Sequence, residues 1–231
     1  MKKILIMGLP GSGKTTLAEK LTKHLNAYWL NADVIRKKYN DWDFSKDGII
    51  RQVKRMKILA DKSKKKIVVA DFVCPIKEQF KIFKPDYVVW MDTIKKSRFE
   101  SMNRIFQTPA KYDLRVISQD VKGWIIPILD KFKKKYRWNN KHETGQMLGR
   151  FQPFHNGHKL LFLEIIKKKG QAYIMIKDVN GIKDNPFTYS KIKKKIDLEL
   201  KAFEGRYKII LAPNISHIYY GRKVGYSFEK I

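Results

Sequence analysis

The chain has 231 residues, with 50 Lys and Arg against 22 Asp and Glu, a net charge of +28, and a single cysteine, Cys74. That length gives room for one large domain or two small ones, and one cysteine excludes an intramolecular disulfide framework and a multi-cysteine zinc site. No apolar run approaches the about 18 residues of a membrane span, and Met1-Lys2-Lys3-Ile4-Leu5-Ile6-Met7 meets a glycine-rich loop too soon for a secretion signal, so the expectation is a cytoplasmic chain with no membrane partner.

Apolar runs rich in Ile, Val and Tyr alternate with helix-like segments, which is the pattern of parallel sheets with helices on both faces, so the fold class is α/β. Strands are predicted near residues 3–8, 27–31, 66–72 and 86–92, and helices near 14–25, 46–63 and 94–104. A helix near 119–135 is expected to break or kink at Pro127. Lys131 to Thr144 is polar, holds Asn139-Asn140 and shows no apolar period, so it reads as a helix end running into a linker. The predicted organisation is a first domain over 1–138, a linker over 139–144 and a second, small Rossmann-like α/β domain over 145–231. The second begins with a strand near 145–151, followed by a helix near 157–169, a strand near 171–177, a helix near 188–203 and strands near 206–211 and 216–220.

Gly8-Leu9-Pro10-Gly11-Ser12-Gly13-Lys14-Thr15 matches G-x-x-x-x-G-K-[ST] between an apolar strand and an amphipathic helix. Gly8, Gly11 and Gly13 let the backbone wrap so that successive N–H groups face phosphate oxygens, and the following helix adds its positive end. Ser12, Lys14, Thr15 and Thr16 complete the expected ATP site, with Lys14 reaching the β- and γ-phosphates and the Thr15 hydroxyl ligating Mg²⁺. Asp33 ends Leu30-Asn31-Ala32-Asp33 at the carboxyl end of the second strand, where α/β sheets place ligands. A carboxylate there can accept a substrate proton or hold Mg²⁺ and its water, or it can simply cap the helix carrying Val34-Ile35-Arg36.

At this point the sequence resembles the adenylylsulfate kinases. Their first motif reads much like Gly8 to Thr16, and their second strand ends in an Asp-Gly-Asp like Asn31-Ala32-Asp33, with an Arg at the place of Arg36. Their Asn-x-Asp-x-x-Phe-Ser segment is similar to Asn40-Asp41-Trp42-Asp43-Phe44-Ser45, here one residue shorter. Arg51-Gln52-Val53-Lys54-Arg55 sits at their Asn-Ile-Arg-Arg motif and Asp71-Phe72-Val73-Cys74-Pro75 at their Phe-Ile-Ser-Pro. The resemblance implies a P-loop kinase that phosphorylates adenylylsulfate on its 3′-hydroxyl, with Arg36, Asn40, Phe44 and Ser45 as the acceptor-binding set. Phe44 would stack on the adenine and Arg36 lie near the phosphosulfate, although composition alone reads Phe44 as an ordinary core aromatic. Ile49 and Cys74 depart from the family's usual Arg and Ser, and Arg104, Pro109 and Lys111 stand where its lysine-rich lid motif is usual.

Gly149-Arg150-Phe151-Gln152-Pro153-Phe154-His155-Asn156-Gly157-His158 again runs from strand to turn to helix. Two histidines flanking a Gly at a helix start can present imidazole N–H groups and the helix end to one anion, while zinc would need a third ligand that is not close in sequence. The segment resembles the His-x-Gly-His nucleotidyltransferases, the cytidylyltransferases and nicotinamide mononucleotide adenylyltransferases among them. That resemblance implies attack by a substrate phosphate on the α-phosphorus of ATP or CTP, with His155 and His158 stabilising the departing pyrophosphate. Gly149, Arg150, Phe151, Gly157, Gly221 and Arg222 complete the implied second nucleotide site. The family's later Ile-Ser-x-Thr-x-x-Arg motif is missing before Ile231, so the expectation is an incomplete domain that binds a triphosphate and turns it over slowly or not at all.

Domain order also fits a compact synthase of activated sulfate with a sulfurylase-like second domain. A charge of +28 attracts polyanions, but only ten of the 50 basic residues are Arg and the lysines gather in runs such as Lys62 to Lys66 and Lys191 to Lys195. Nucleic acid is therefore expected as a nonspecific partner, with a basic nucleic-acid-binding protein or polynucleotide end-kinase as the alternative, although no helix-turn-helix, RNA-binding or OB-fold signature supports it. Small-molecule nucleotides are the expected partners, and a homodimer is left open.

Overall fold

Ile4, Leu5, Ile6 and Met7 have no solvent exposure, because the strand they form, β1 (Lys2–Met7), lies in the middle of a five-stranded parallel sheet. This computed structural model describes residues 1–219, 221, 225 and 227–229. The chain divides into two units, Met1–Lys134 and Lys135–Ile231.

In the first unit the strand order is β2 (Tyr28–Asn31), β3 (Ile67–Asp71), β1, β4 (Tyr87–Met91) and β5 (Leu114–Val116), all parallel. Side chains alternate across a strand, and here Leu5 and Met7 join Val68, Ala70 and Val88 in one core cluster while Ile4 and Ile6 face the other side. The cluster is covered by α2 (Ala32–Lys38), α3 (Lys46–Asp61) and α4 (Lys77–Phe83), through Ile35, Val53, Met56 and Phe83. On the opposite face α1 (Lys14–Leu25) and α6 (Val121–Phe132) pack together, with Leu17, Leu21, Trp124 and Ile128 buried. The fold is α/β, a parallel sheet flanked by helices, as the alternating pattern predicts.

Two expectations need correction. Of the break or kink expected at Pro127, the break does not occur, since α6 runs through Pro127 from Val121 to Phe132. The helix expected over 94–104 is only α5 (Glu100–Ile105), because the Asn103 side chain folds back onto Ser97: Asn103 Oδ1 accepts from the Ser97 N–H at 2.9 Å and Nδ2 donates to the Ser97 carbonyl at 2.9 Å.

The second unit holds β6 (Gly145–Gly149), α7 (Asn156–Lys169), β7 (Ala172–Lys177), α8 (Tyr189–Glu199), a 3₁₀ turn at Lys201–Phe203 and β8 (Tyr207–Ala212), with parallel sheet order β6-β7-β8. Ile174, Ile176, Phe162, Ile166, Ile196 and Phe203 form its buried interior. The segment expected as a linker is bound into this unit: the fully buried Gln171 donates to the Asn139 carbonyl at 2.8 Å and to Thr144 Oγ1 at 2.6 Å, and accepts from Tyr136 Oη at 3.0 Å. Of residues 216–220, expected as a strand, 216–219 are in none and Tyr220 lies outside the described residues. Pro213 has no N–H to give a ladder, and its carbonyl accepts from the Ile215 N–H at 2.7 Å in a tight turn instead.

Candidate functional site

The loop between β1 and α1 takes its shape from glycine. Gly8 has φ 146°, and a Cβ on it would lie 2.6 Å from the Met91 carbonyl oxygen; Gly13, the N-cap of α1, has φ 89°. Neither position admits a side chain without strain. Lys14 folds over the loop, its Nζ donating to the Leu9 carbonyl at 2.9 Å. Burial pushes its pKa down to about 8, against the pull of Asp71 and Asp33.

Asp71, the last residue of β3, is the partner that sequence reasoning missed. Its carboxylate is 3% exposed and fully engaged: Oδ2 accepts from Thr15 Oγ1 at 2.9 Å and Asn31 Nδ2 at 3.0 Å, and Oδ1 from Trp29 Nε1 at 2.7 Å. Burial raises its pKa to about 6, while the hydrogen bonds from Trp29 and Thr15 and the charge of Lys14 oppose that rise. The one sequence signal was an acidic residue closing the apolar run Ile67-Val68-Val69-Ala70.

The loop opens into a cleft of about 990 Å³ lined by Gly11, Gly13, Lys14, Thr15 and Thr16 together with Asp33, Arg36, Trp42, Phe44, Gln52, Asp71, Gln79, Lys96 and Arg98. Gly8 and Ser12 are not among its walls, since Gly8 lies against Met91 and the Ser12 side chain is fully buried beneath the loop. Asp33 is exposed on the cleft wall and is not the helix cap: Asn31 is, its Oδ1 accepting from the Val34 N–H at 2.9 Å. Thr15, Asp71 and Asp33 are oxygen donors of the kind Mg²⁺ selects, so these residues fit a magnesium–nucleotide.

Of the predicted acceptor set, the structure brings Arg36 and Phe44 to the cleft and leaves Asn40 and Ser45 outside it. Asn40 is exposed at a left-handed turn with φ 47°, and Ser45 is spent capping α3, its Oγ accepting from the Gly48 N–H at 3.2 Å. Phe44 is 50% exposed, so it is no core residue; its ring lies 4.6 Å from the Arg36 guanidinium. Arg36 is only 5% exposed and uses one nitrogen, Nη1, to donate to the Asp41 and Asp43 carbonyls, both at 2.9 Å. Among the described residues its Nε and Nη2 meet no acceptor, while the guanidinium lines the cleft. Trp42 joins Phe44 on this wall because Asp41 anchors their loop, receiving Arg51 Nε at 2.9 Å and Arg55 Nη2 at 2.8 Å, which holds the Asp41 carboxyl far below the usual carboxylate range. Cys74 is buried, and burial pushes its thiol up, which makes it a packed residue rather than a nucleophile.

In the second unit His155 is the N-cap of α7, and its Nδ1 accepts from the Gly157 N–H at 3.1 Å. His158 Nδ1 accepts from the His155 N–H at 3.2 Å, and the two rings stack with centroids 3.7 Å apart. Both Nδ1 atoms are thus used inside the turn, so the atom left to each imidazole as an outward donor is Nε2. Burial and the neighbouring His155 push the His158 pKa down to about 4. Phe151, at φ 51°, packs its ring against Gly149 and edge-on to His158 at 4.9 Å. Arg150 and Gly157 are exposed; Gly221 stands in open space and Arg222 lies outside the described residues. Among the described residues no group of three or more His, Cys, Asp or Glu is placed to hold a metal ion, so the histidine pair has no third zinc ligand there.

Residues 4–70 match the family described as an AAA domain. No curated protein sequence matches the chain. Among solved structures, a mutant of the Mycobacterium tuberculosis APS kinase CysC is similar at 22% identity over 56% of this chain and 96% of that one, with a TM-score of 0.45. A sugar kinase from Janibacter sp. is similar at 14% identity over 58% of this chain and 96% of its own, TM-score 0.44, and the shikimate kinase of Aquifex aeolicus at 21% over 55% and 93%, TM-score 0.40. With strand order β2-β3-β1-β4-β5 and the G-x-x-x-x-G-K-T loop between β1 and α1, the first unit has a P-loop α/β fold.

Proposed function

We propose that the first unit is an ATP- and Mg²⁺-dependent phosphotransferase whose acceptor is a small anionic nucleotide, adenylylsulfate in the first instance. The observation that carries this reading is Arg36, nine-tenths buried beside Phe44 with two nitrogens unclaimed, in the same cleft as Lys14 and Asp33. An acceptor ring on Phe44 would place its anionic group at Arg36. The acceptor hydroxyl then attacks the γ-phosphorus, its proton passes to Asp33, the bond from the γ-phosphorus to the β-bridging oxygen breaks, and ADP leaves. Lys14 neutralises charge building on the transferred group, and Mg²⁺, when bound, offsets the charge of the phosphates. Thr15 and Asp71 would hold it on the loop side. The lysine-heavy surface suits no more than nonspecific attraction of nucleic acid, and a single buried cysteine suits a reducing cytoplasm.

A coupled ADP-release assay at near-physiological salt, offering adenylylsulfate, sulfate, pantetheine phosphate, nicotinamide mononucleotide and DNA 5′-ends, tests this reading. Adenylylsulfate is expected to give the fastest ADP release, and the Arg36→Met variant to lose that preference. Preference for DNA termini would replace the proposal with an end-kinase.

For the second unit, we infer a nucleotidyltransferase-like site that takes the triphosphate of ATP or CTP at the start of α7. The stacked His155–His158 pair supports it, since each Nδ1 is tied to backbone and each Nε2 is left to donate to phosphate oxygens.

A further inference from the structure

Thr93 follows Asp92 just beyond β4, and its Oγ1 donates to the carbonyl of Ser12, in the phosphate loop, at 2.8 Å. Asp92 anchors this post: its N–H donates to the Val116 carbonyl at 2.8 Å, and its carboxylate accepts from Arg115 Nε at 2.9 Å. The Ser12–Gly13 peptide is trans. In a planar trans peptide the C=O and the N–H point in opposite directions, so a carbonyl held towards Thr93 turns the Gly13 N–H away from it. Gly13 lines the cleft and Thr93 does not. Among the described residues the Gly13 N–H has no protein acceptor, whereas the preceding N–H, that of Ser12, is already given to the Leu9 carbonyl at 3.2 Å. Gln119 Nε2 donates to the Gly11 carbonyl at 3.3 Å, which steadies only the plane whose N–H is the one given to Leu9.

We infer that Thr93 is a positioning residue for phosphate binding: through the Ser12 carbonyl it sets the one peptide plane that aims the Gly13 N–H at the phosphate chain. The inference rests on the reading of this cleft as a nucleotide site. A freely rotating Ser12–Gly13 plane would spend part of its time with the carbonyl facing the phosphates, an acceptor against an anion. Thr93 removes that arrangement before the ligand arrives.

The test compares the full-length parent with Thr93→Val, which keeps the shape and removes the donor, Thr93→Ala, a second hydroxyl-free variant, and Thr93→Ser, which restores the hydroxyl. Calorimetric titrations with Mg-ADP and with inorganic tripolyphosphate are run beside thermal melts. Thr93→Val and Thr93→Ala are expected to bind both ligands about tenfold more weakly, about the value of one hydrogen bond to a charged group, while Thr93→Ser stays within about twofold of the parent. Unaltered affinities in hydroxyl-free variants that melt at lower temperature would reduce Thr93 to a structural contact and overturn the inference. Equal weakening in Thr93→Ser would overturn it too, because the hydroxyl would then not be the cause. A parent that binds neither ligand would instead sink the nucleotide reading on which it rests.

Discussion

Thr15 Oγ1 donates to Asp71 Oδ2 across 2.9 Å, joining the first turn of α1 to the end of β3. The threonine hydroxyl is thereby oriented with its lone pairs free for a cation, and the carboxylate supplies charge close by. Asp71→Asn keeps the shape and removes the charge. It is expected to lower ADP release by about 10²-fold, the scale of losing one positioned group that stabilises transition-state charge. Initial rates across a magnesium titration check this, and near-parent turnover at saturating magnesium would remove Asp71 from the site.

The same pair of elements sets a pH window. Burial brings the Asp71 proton off near pH 6 and the Lys14 proton off near pH 8. Because kcat/KM reports the free enzyme, it is expected to be highest between about pH 6 and 8 and to fall on both sides. The stability signs follow from linkage. Asp71 titrates above its unfolded value of 3.8, so its contribution is full below that value and lost as pH rises through about 6. Lys14 titrates below its unfolded value of 10.5, so it penalises the fold below about 8 and that penalty is relieved as pH rises towards 10.5. A bound polyphosphate restores the Lys14 proton, so ATP binding at pH 8 should take up protons, read by calorimetry in buffers of differing ionisation enthalpy. Proton release at that pH would contradict the assignment.

Asp33 can be separated from helix capping because Asn31 already does that work. Asp33→Asn is expected to cut turnover by about 10²-fold or more, as for a lost general base, with an unchanged melting temperature. Unchanged turnover with a lowered melting temperature would return Asp33 to a structural role.

What was legible in the sequence and what was not divides by distance along the chain. Gly8 to Thr15 is one contiguous segment whose function needs only a strand before it and a helix after it, and both are present. Asp71 meets Thr15 from 56 residues away, and an aspartate at a strand end reads locally like any turn residue. Asn31 was legible as part of a motif but not as the cap of α2, because cap and carboxylate stand two residues apart and either could serve. The missed elements were the short ones. Seven residues in α4 and three in β5 are too few for a 3.6- or 2-residue period to emerge. Ser45 was assigned to the acceptor from its motif, whereas the helix behind it claims its side chain.

The wall formed by Trp42 and Phe44 depends on Asp41, which gathers Arg51 and Arg55. Asp41→Ala removes the carboxylate that both arginines share, leaving Arg51 to Asp43 and Arg55 to Gln52, and is expected to loosen the 41–45 loop on the cleft wall. The KM for the acceptor is expected to rise about tenfold, the scale of one lost packing and hydrogen-bond contact, with the KM for ATP unchanged. Equal changes in both would mean that the loop supports the whole unit rather than the acceptor wall.

The second unit yields the sharpest distinction between charge and hydrogen bonding. A phosphate site built on imidazolium would bind more tightly as pH falls through the ordinary histidine range, whereas His158 is held neutral down to about pH 4 by burial and by His155. Its Nδ1 is occupied by the His155 N–H, so any donation to phosphate comes from Nε2. Side-chain amides separate the two nitrogens: in Gln the amide nitrogen reaches about where Nε2 sits, and in Asn about where Nδ1 sits. In a Lys14→Ala background, which silences the first site, the full-length chain is expected to bind one ATP or CTP with an affinity that His158 leaves flat between pH 5.5 and 8. His158→Gln should retain part of that affinity, and His158→Asn and His158→Ala should lose it by about tenfold or more, the worth of a hydrogen bond to a charged group. Fluorescent-nucleotide titrations at fixed ionic strength provide the reading. Retention by Asn and loss by Gln would reverse the assignment of the two nitrogens. A parent affinity that climbs as pH falls through 6.5, with the climb abolished in His158→Gln, would mean that His158 binds as a cation and that the stacked neutral pair is not the form that meets the nucleotide.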